Sequence, residues 1–210
     1  MKFNNTEVWG FKHAMRGMRN PLESWDKSSS TDSYICENDI KLGQRLIRGG
    51  SEHRKFLRQI MISVDITAPL YWFKEFDTYK INTTANSTST MHKLATTPIT
   101  LDCFEIDDYD GDLVAELLPM NNISDIFIQR LELIRKTYLG TKDKRYWKEL
   151  IRWLPASWLQ TRTITMNYEN LRNMYFQRRN HKLSEWSVSF VEWIRALPYA
   201  SEFITYEGGE

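Results

Sequence analysis

The run DITAPLYWFKEFDTYKINTTANSTSTMHKL, residues 65–94, decides how this chain is read. Ile60, Ile62, Val64 and Ile66 alternate with Met61, Ser63 and Asp65, so 59–66 reads as a strand with one apolar face. Pro69 suits the first position of a helical segment, APLYWFKEFDTYK, because the first helical N–H has no partner to lose. That segment, dense in aromatics, runs into INTTANSTST, whose Thr, Asn and Ser side chains compete for backbone hydrogen bonds and favour a loop. A strand near 99–106 follows, then the acidic turn DDYDGD.

Upstream, Thr6 can cap a first helix carrying Val8, Phe11, Met15 and Met18, with Pro21 beyond its end. Residues 22–37, with SWDKSSSTDS inside, read as a polar loop, and Asn38 starts a helix stopped by Gly49-Gly50. Downstream the chain is more plainly helical. Phe127, Leu131, Ile134 and Tyr138 mark one helix, and Trp147, Leu150, Ile151 and Leu154 the next. TRTITM (161–166) reads as a short strand, followed by a helix from Asn167 and an apolar stripe of Trp186, Phe190, Trp193 and Leu197. Scattered strands before a helical half predict an α+β or mixed α/β fold, formed by 1–210 as a single domain.

Hydrophobic residues make up 41% of the 210, enough for a real core. Eight Trp, ten Tyr and ten Phe supply core and subunit interface, or stacking platforms for planar ligands. A formal charge of +1 argues against a strongly basic nucleic-acid binder. With no apolar leader and no membrane-length run, the expected location is the cytoplasm.

Cys36 and Cys103 make no disulfide framework, and neither has a neighbouring His or basic cluster to activate it as a nucleophile. Asp107, Asp108, Asp110 and Asp112 lack calcium-loop spacing, and the four histidines are scattered, so no metal site is expected. The helix from Asn167 is more informative. Asn167 and Arg178 are about three turns apart and share a face with Leu171 and Met174. A guanidinium and an amide on an apolar stripe suit a planar, phosphate-bearing ligand; the same pattern suits an Arg snorkelling at a subunit contact. Likewise, the hydroxyls of 82–90 can hold a phosphate or pyrimidine ring, or be a surface connection.

In this order the parts resemble the flavin-dependent thymidylate synthases. The 65–94 segment looks like that family's central element, an apolar strand leading through an Ala-Pro helix into Arg-His-Arg, seven residues and a Ser. LPASWLQTRTITMNYENLRNMYFQRR (154–179) is similar to its C-terminal element, with Leu154-Pro155, Asn167, Asn173 and Arg178 at the family's spacing. SEWSVSFVEWIRALPYASEF resembles the following helix, and TEVWGFKHAMRGMRNP the first.

The resemblance implies a homotetramer with active sites between subunits, where FAD carries hydride from NADPH, methylenetetrahydrofolate gives the carbon and dUMP accepts it. By position, Arg178 would hold dUMP, with Arg152 one residue from a phosphate-binding Arg, while Asn167, Asn173 and His53 would contact flavin. The Arg-His-Arg positions hold Thr78, Tyr79 and Lys80, and the signature Ser is Thr88. A one-residue slip offers Asn86 and Ser89 instead as the Asn and the catalytic Ser. Glu75 stands where a dUMP-contacting Gln is expected, and a carboxylate there suits the amino group of cytosine. Losing two guanidinium groups removes charge-assisted bonds worth roughly 1.5–3 kcal/mol each. The sequence therefore predicts reductive methylation at C5 of a pyrimidine deoxynucleotide. The alternatives are a nucleotide-binding protein that has lost turnover and a structural homo-oligomer.

Overall fold

The computed structural model describes residues 1–108, 110–112 and 123–208; Tyr109 of the DDYDGD turn lies outside them. The fold is mixed α/β, with helices and a four-stranded antiparallel sheet. Its strands are β1 (Lys2–Trp9), β2 (Met61–Pro69), β3 (Thr84–Ser87) and β4 (Leu159–Asn167), lying in the order β1-β2-β4-β3. The helices are α1 (Phe11–Arg19), α2 (Glu37–Arg48), α3 (Leu70–Phe76), α4 (Thr90–Lys93), α5 (Ile123–Thr141), α6 (Lys144–Arg152), α7 (Tyr168–Arg178) and α8 (Val191–Arg195). A π-helical turn, Glu185–Phe190, leads into α8, and another, Ala200–Ile204, follows it.

The alternation read in β2 sets the register. Ile62, Val64 and Ile66 are buried, while Ser63, Asp65 and Thr67 face a row of threonines on β4. The Thr67 and Thr161 hydroxyls are 2.7 Å apart, Thr163 donates to Asp65 at 2.6 Å, and Thr165 to Ser63 at 3.4 Å. Each step of two along β2 is matched by a step of two back along β4, as antiparallel pairing requires.

Three sequence expectations are corrected. Residues 2–9 form a strand rather than the start of a helix from Thr6, and α1 begins at Phe11. Gly10 makes the corner, at φ 94°, and an added Cβ would sit 2.4 Å from the Gln59 carbonyl oxygen. Only glycine meets both conditions. Pro69 closes β2 instead of opening the helix, so α3 covers only Leu70–Phe76. The strand expected near 99–106 is a 3₁₀ turn, Leu101–Cys103, with one antiparallel bridge from Phe104 to Trp158.

The chain forms two compact units. One comprises Met1, Thr67–Phe76 and Ser87–Arg162; the other comprises Lys2–Ile66, Asp77–Asn86 and Thr163–Glu210. In the first, Leu94, Ile99, Phe104, Leu131 and Leu150 make a buried cluster. Arg135 locks the 94–99 segment onto α5, holding Glu132 at 2.6 Å and the Ala95 carbonyl at 3.1 Å, while Glu132 accepts from the Ile99 N–H at 2.9 Å. Its bond from Arg135 pulls the Glu132 carboxyl down to about 2.

The second unit is built on aromatics. Phe11 meets Tyr168 edge-on at 5.8 Å, Phe56 meets Phe203 at 5.5 Å, and Trp186 meets Phe190 at 5.1 Å. The buried Tyr168 hydroxyl is satisfied by the Pro198 carbonyl at 2.7 Å. The polar SWDKSSSTDS loop is gathered on a buried carboxylate. Asp39, fully buried, accepts from Arg19, Ser28 and Ser30, each at 2.5 Å, and from the Cys36 thiol at 3.4 Å. Burial alone would raise its pKa, but the bonds from Ser28, Ser30 and Arg19 hold it below the usual carboxylate value.

Candidate functional site

Helix α7 is the spine of the site. Its start follows from Asn167, whose side-chain oxygen accepts the Asn170 N–H at 3.0 Å while the Asn170 side chain accepts the Asn167 N–H at 3.3 Å. This reciprocal cap fixes the point where β4 turns into helix. Tyr168, Leu171, Met174 and Tyr175 then enter the core, leaving Asn173 and Gln177 exposed and Arg178 half-buried.

The 77–83 segment, with its Thr78-Tyr79-Lys80 triplet, is fastened to this helix. Asn170 donates its side-chain N–H to the Ile81 carbonyl at 2.8 Å. The Tyr79 hydroxyl donates to Gln177 Oε1 at 2.9 Å and accepts from Arg178 Nε at 2.8 Å. Asn170, Gln177 and Arg178 recur at seven and eight residues, one stripe of a helix, so three side chains grip one loop. The Arg178 guanidinium also lies 5.5 Å from the Tyr79 ring centroid and 4.9 Å from that of Trp186, in cation–π range. Trp186 in turn meets Tyr79 at 6.3 Å and His181 at 6.5 Å. Asn170 and Gln177 were not singled out from the sequence, and Trp186 was read there only as part of an apolar stripe. The common stripe could have revealed the first two; the approach of Trp186 has no local signature.

Asn173 belongs to a cleft of about 450 Å³, lined also by Arg54, Arg172, Gln177, Arg179 and Glu207. Arg54 binds both Glu169 oxygens, at 3.0 and 3.1 Å, and reaches Asn173 Oδ1 at 3.5 Å. Arg172 is buried, and its Nη1 donates to the carbonyls of Phe203, Ile204 and Tyr206 at 3.3, 2.9 and 2.7 Å. Burial and the charge of Arg54 bring its pKa down to about 10, so it stays cationic at neutral pH. Arg179 pairs with Glu207. His53 is exposed after the Gly49-Gly50 turn and borders a separate cleft of about 570 Å³ with Arg19, Lys27, Lys41 and Arg45.

One unit therefore holds His53, Thr78, Tyr79, Lys80, Asn86, Asn167, Asn173 and Arg178. Of these, Asn86 is exposed on β3, and Thr78 and Lys80 are exposed beside Tyr79. The other unit holds Glu75, Thr88, Ser89 and Arg152. Glu75 is half-buried on α3. Thr88 is fixed against β4, its N–H on the Thr161 carbonyl at 2.9 Å and its carbonyl accepting from Gln160 at 2.9 Å. Ser89 caps α4, its hydroxyl oxygen accepting the His92 N–H at 3.2 Å. Arg152, at the end of α6, pairs with Glu149. Among the described residues no group of three or more His, Cys, Asp or Glu side chains could hold a metal ion, and no helix is long and apolar enough to cross a membrane.

No family model matches the chain, and no curated protein matches it by sequence. Solved structures do match by shape. A flavin-dependent thymidylate synthase of Helicobacter pylori complexed with FAD and dUMP is 15% identical, with a TM-score of 0.69 over 99% of both chains. A second structure of the Helicobacter pylori enzyme with FAD and dUMP gives 15% identity and a TM-score of 0.70 over 99% of this chain and 98% of that one. The chain thus has the fold of the flavin-dependent thymidylate synthases from end to end.

Proposed function

We propose that this chain is a pyrimidine-nucleotide-binding protein on a flavin-dependent thymidylate synthase scaffold, and that its reaction is reductive methylation at C5 of dUMP. The observation that supports this reading is the correspondence of fold over nearly the whole chain, with Asn173 and Arg178 on α7 and Asn167 as its cap. Arg178 would hold the nucleotide, with Tyr79 and Gln177 fixing the guanidinium plane. Arg152, Glu75 and Asn86 are the further substrate contacts in this reading. Thr88 and Ser89 would stand at the reacting ring, where their polar groups would stabilise developing charge.

The residues present fit a flavin in part. Asn173 borders a cleft lined by Arg54, Arg172 and Arg179, His53 borders one lined by arginines and lysines, and Thr78 and Lys80 are exposed. These would hold FAD. The Asn167 oxygen is committed to the helix cap, which leaves only its amide N–H groups to donate. When bound, FAD would supply hydride drawn from NADPH to the one-carbon unit given by methylenetetrahydrofolate. We place the protein in the cytoplasm as a homotetramer of single-domain chains, with sites completed between subunits.

One observation favours a second reading, nucleotide binding without turnover. Lys80 is the only cation at the three positions where the family carries Arg-His-Arg, and Arg178 already has a phenol on Nε. The visible spectrum of the isolated protein, with thermal shifts for dUMP, dCMP and dTMP, tests both. Flavin absorbance with a dUMP shift supports the enzyme. A nucleotide shift without flavin, even after FAD addition, supports the binder. No shift with any nucleotide rejects both.

A further inference from the structure

The turn between α5 and α6 breaks two local rules, each time with a lysine. Lys142, just past the end of α5, donates its N–H to the Tyr138 carbonyl at 2.8 Å and holds φ at 58°, a left-handed backbone that favours glycine. The glycine of this stretch, Gly140, stands instead where the backbone is not left-handed and an added Cβ would meet nothing within 4 Å. Lys144 then opens α6, whose first turn holds no acid, although a helix N-terminus disfavours cations. Lysines kept where local structure prefers other residues point to a use for their ammonium groups.

A cleft lies beside them. Lys142, Lys144 and His92 line a cavity of about 640 Å³ together with Met91, Tyr138 and Trp147, and no acid lines it. A cavity of this size holds a small organic ligand. The Trp147 indole N–H donates to the Met91 carbonyl at 3.3 Å, which ties that half-buried ring to α4, and the half-buried Tyr138 adds a second ring. The nearby carboxylates are already engaged: Glu132 pairs with Arg135 and Lys136, Asp143 with Arg145, and Glu149 with Arg152. Lys142 and Lys144 are exposed, and among the described residues neither makes an ion pair. Two rings beside unneutralised ammonium groups suit a ligand with a flat apolar body and a negative group.

We infer that this cleft is a binding site for an aromatic anion, a planar ring bearing a phosphate or a carboxylate. None of its lining residues is among those assigned above to the nucleotide or to flavin, so it is a separate site. Calorimetric titration of the full chain with naphthyl phosphate and with naphthoate tests it, with naphthol as the ring without charge and inorganic phosphate as the charge without ring. The better aromatic anion should bind about ten-fold tighter than either control, and it identifies the head group. Lys142→Gly should weaken that binding about five-fold while raising the urea midpoint, because glycine relieves the left-handed backbone. A purely structural lysine would show the second effect alone. Trp147→Leu should weaken binding about ten-fold; should that variant fail to fold, Lys142→Gly carries the test. Arg178→Ala should leave it unchanged. The inference is overturned if neither aromatic anion binds, if naphthol binds as tightly, if Lys142→Gly binds like wild type, or if Arg178→Ala abolishes binding. Binding here without any dUMP shift would refute the nucleotide reading and leave this one standing; a dUMP shift without it would do the reverse.

Discussion

Tyr79 and Arg178, 99 positions apart, meet at 2.8 Å, and the same phenol passes its proton toward Gln177 at 2.9 Å. Tyr79→Phe keeps the ring but leaves Arg178 Nε and Gln177 without that partner. Loss of a hydrogen bond to a charged group, partly replaced by water, should cost about 1–2 kcal/mol. The urea midpoint should fall accordingly, and dUMP affinity should change in parallel. An unchanged midpoint together with unchanged affinity would show the contact to be incidental.

The reciprocal cap at the start of α7 separates a structural asparagine from a ligand-binding one. Asn167→Ala should destabilise the protein by about 1 kcal/mol, while Asn167→Asp should hold stability, since aspartate caps equally well. If flavin binding is also lost in the aspartate variant, the side-chain N–H groups of Asn167 serve the ligand. If binding is kept, Asn167 serves only the helix.

Asp39 is a buried anchor of a loop that looks featureless in sequence. Asp39→Asn removes the counter-charge of Arg19, itself 4% exposed, and should cost about 3–5 kcal/mol in chemical denaturation. A loss below about 1 kcal/mol would mean that Arg19 finds water or another partner.

Acid should weaken the protein in a window set by Glu132. Its folded pKa, about 2, lies below the ordinary 4.5, so it contributes stability that is fully present above about pH 4.5 and lost as pH falls toward 2. The pair is partly open to solvent, and screening leaves about 1–2 kcal/mol at stake. Glu132→Gln should remove that amount at pH 6 and flatten the stability profile between pH 4.5 and 2. A profile as steep as wild type would assign the acid transition elsewhere.

What the sequence disclosed depended on how local the cause was. The β2 strand was legible because Ile62, Val64 and Ile66 alternate with polar residues, and α7 because its cap and apolar stripe lie within three turns. The β1 strand was not. KFNNTEVW has no clean alternation, is mostly exposed, and becomes a strand by pairing at the sheet edge. Pro69 was misread because a proline ends a strand as readily as it opens a helix. Arg178 and Tyr79 were each singled out through spacing and resemblance, but their pairing was invisible, since nothing local announces a contact 99 residues away. The serines of 28–30 read only as part of a polar loop, although Ser28 and Ser30 donate to a buried carboxylate.

The grip of Arg172 on the carbonyls of Phe203, Ile204 and Tyr206 has a bearing on synthesis. Until those residues leave the ribosome, this arginine lacks the three carbonyls it bonds in the fold and must stay in water, and the core beneath α7 lacks its closing turn. The unit that begins at Lys2 must therefore wait for residues 203–206 before it can close. Its early segments, aromatic and unfinished, are the ones a chaperone would meet first.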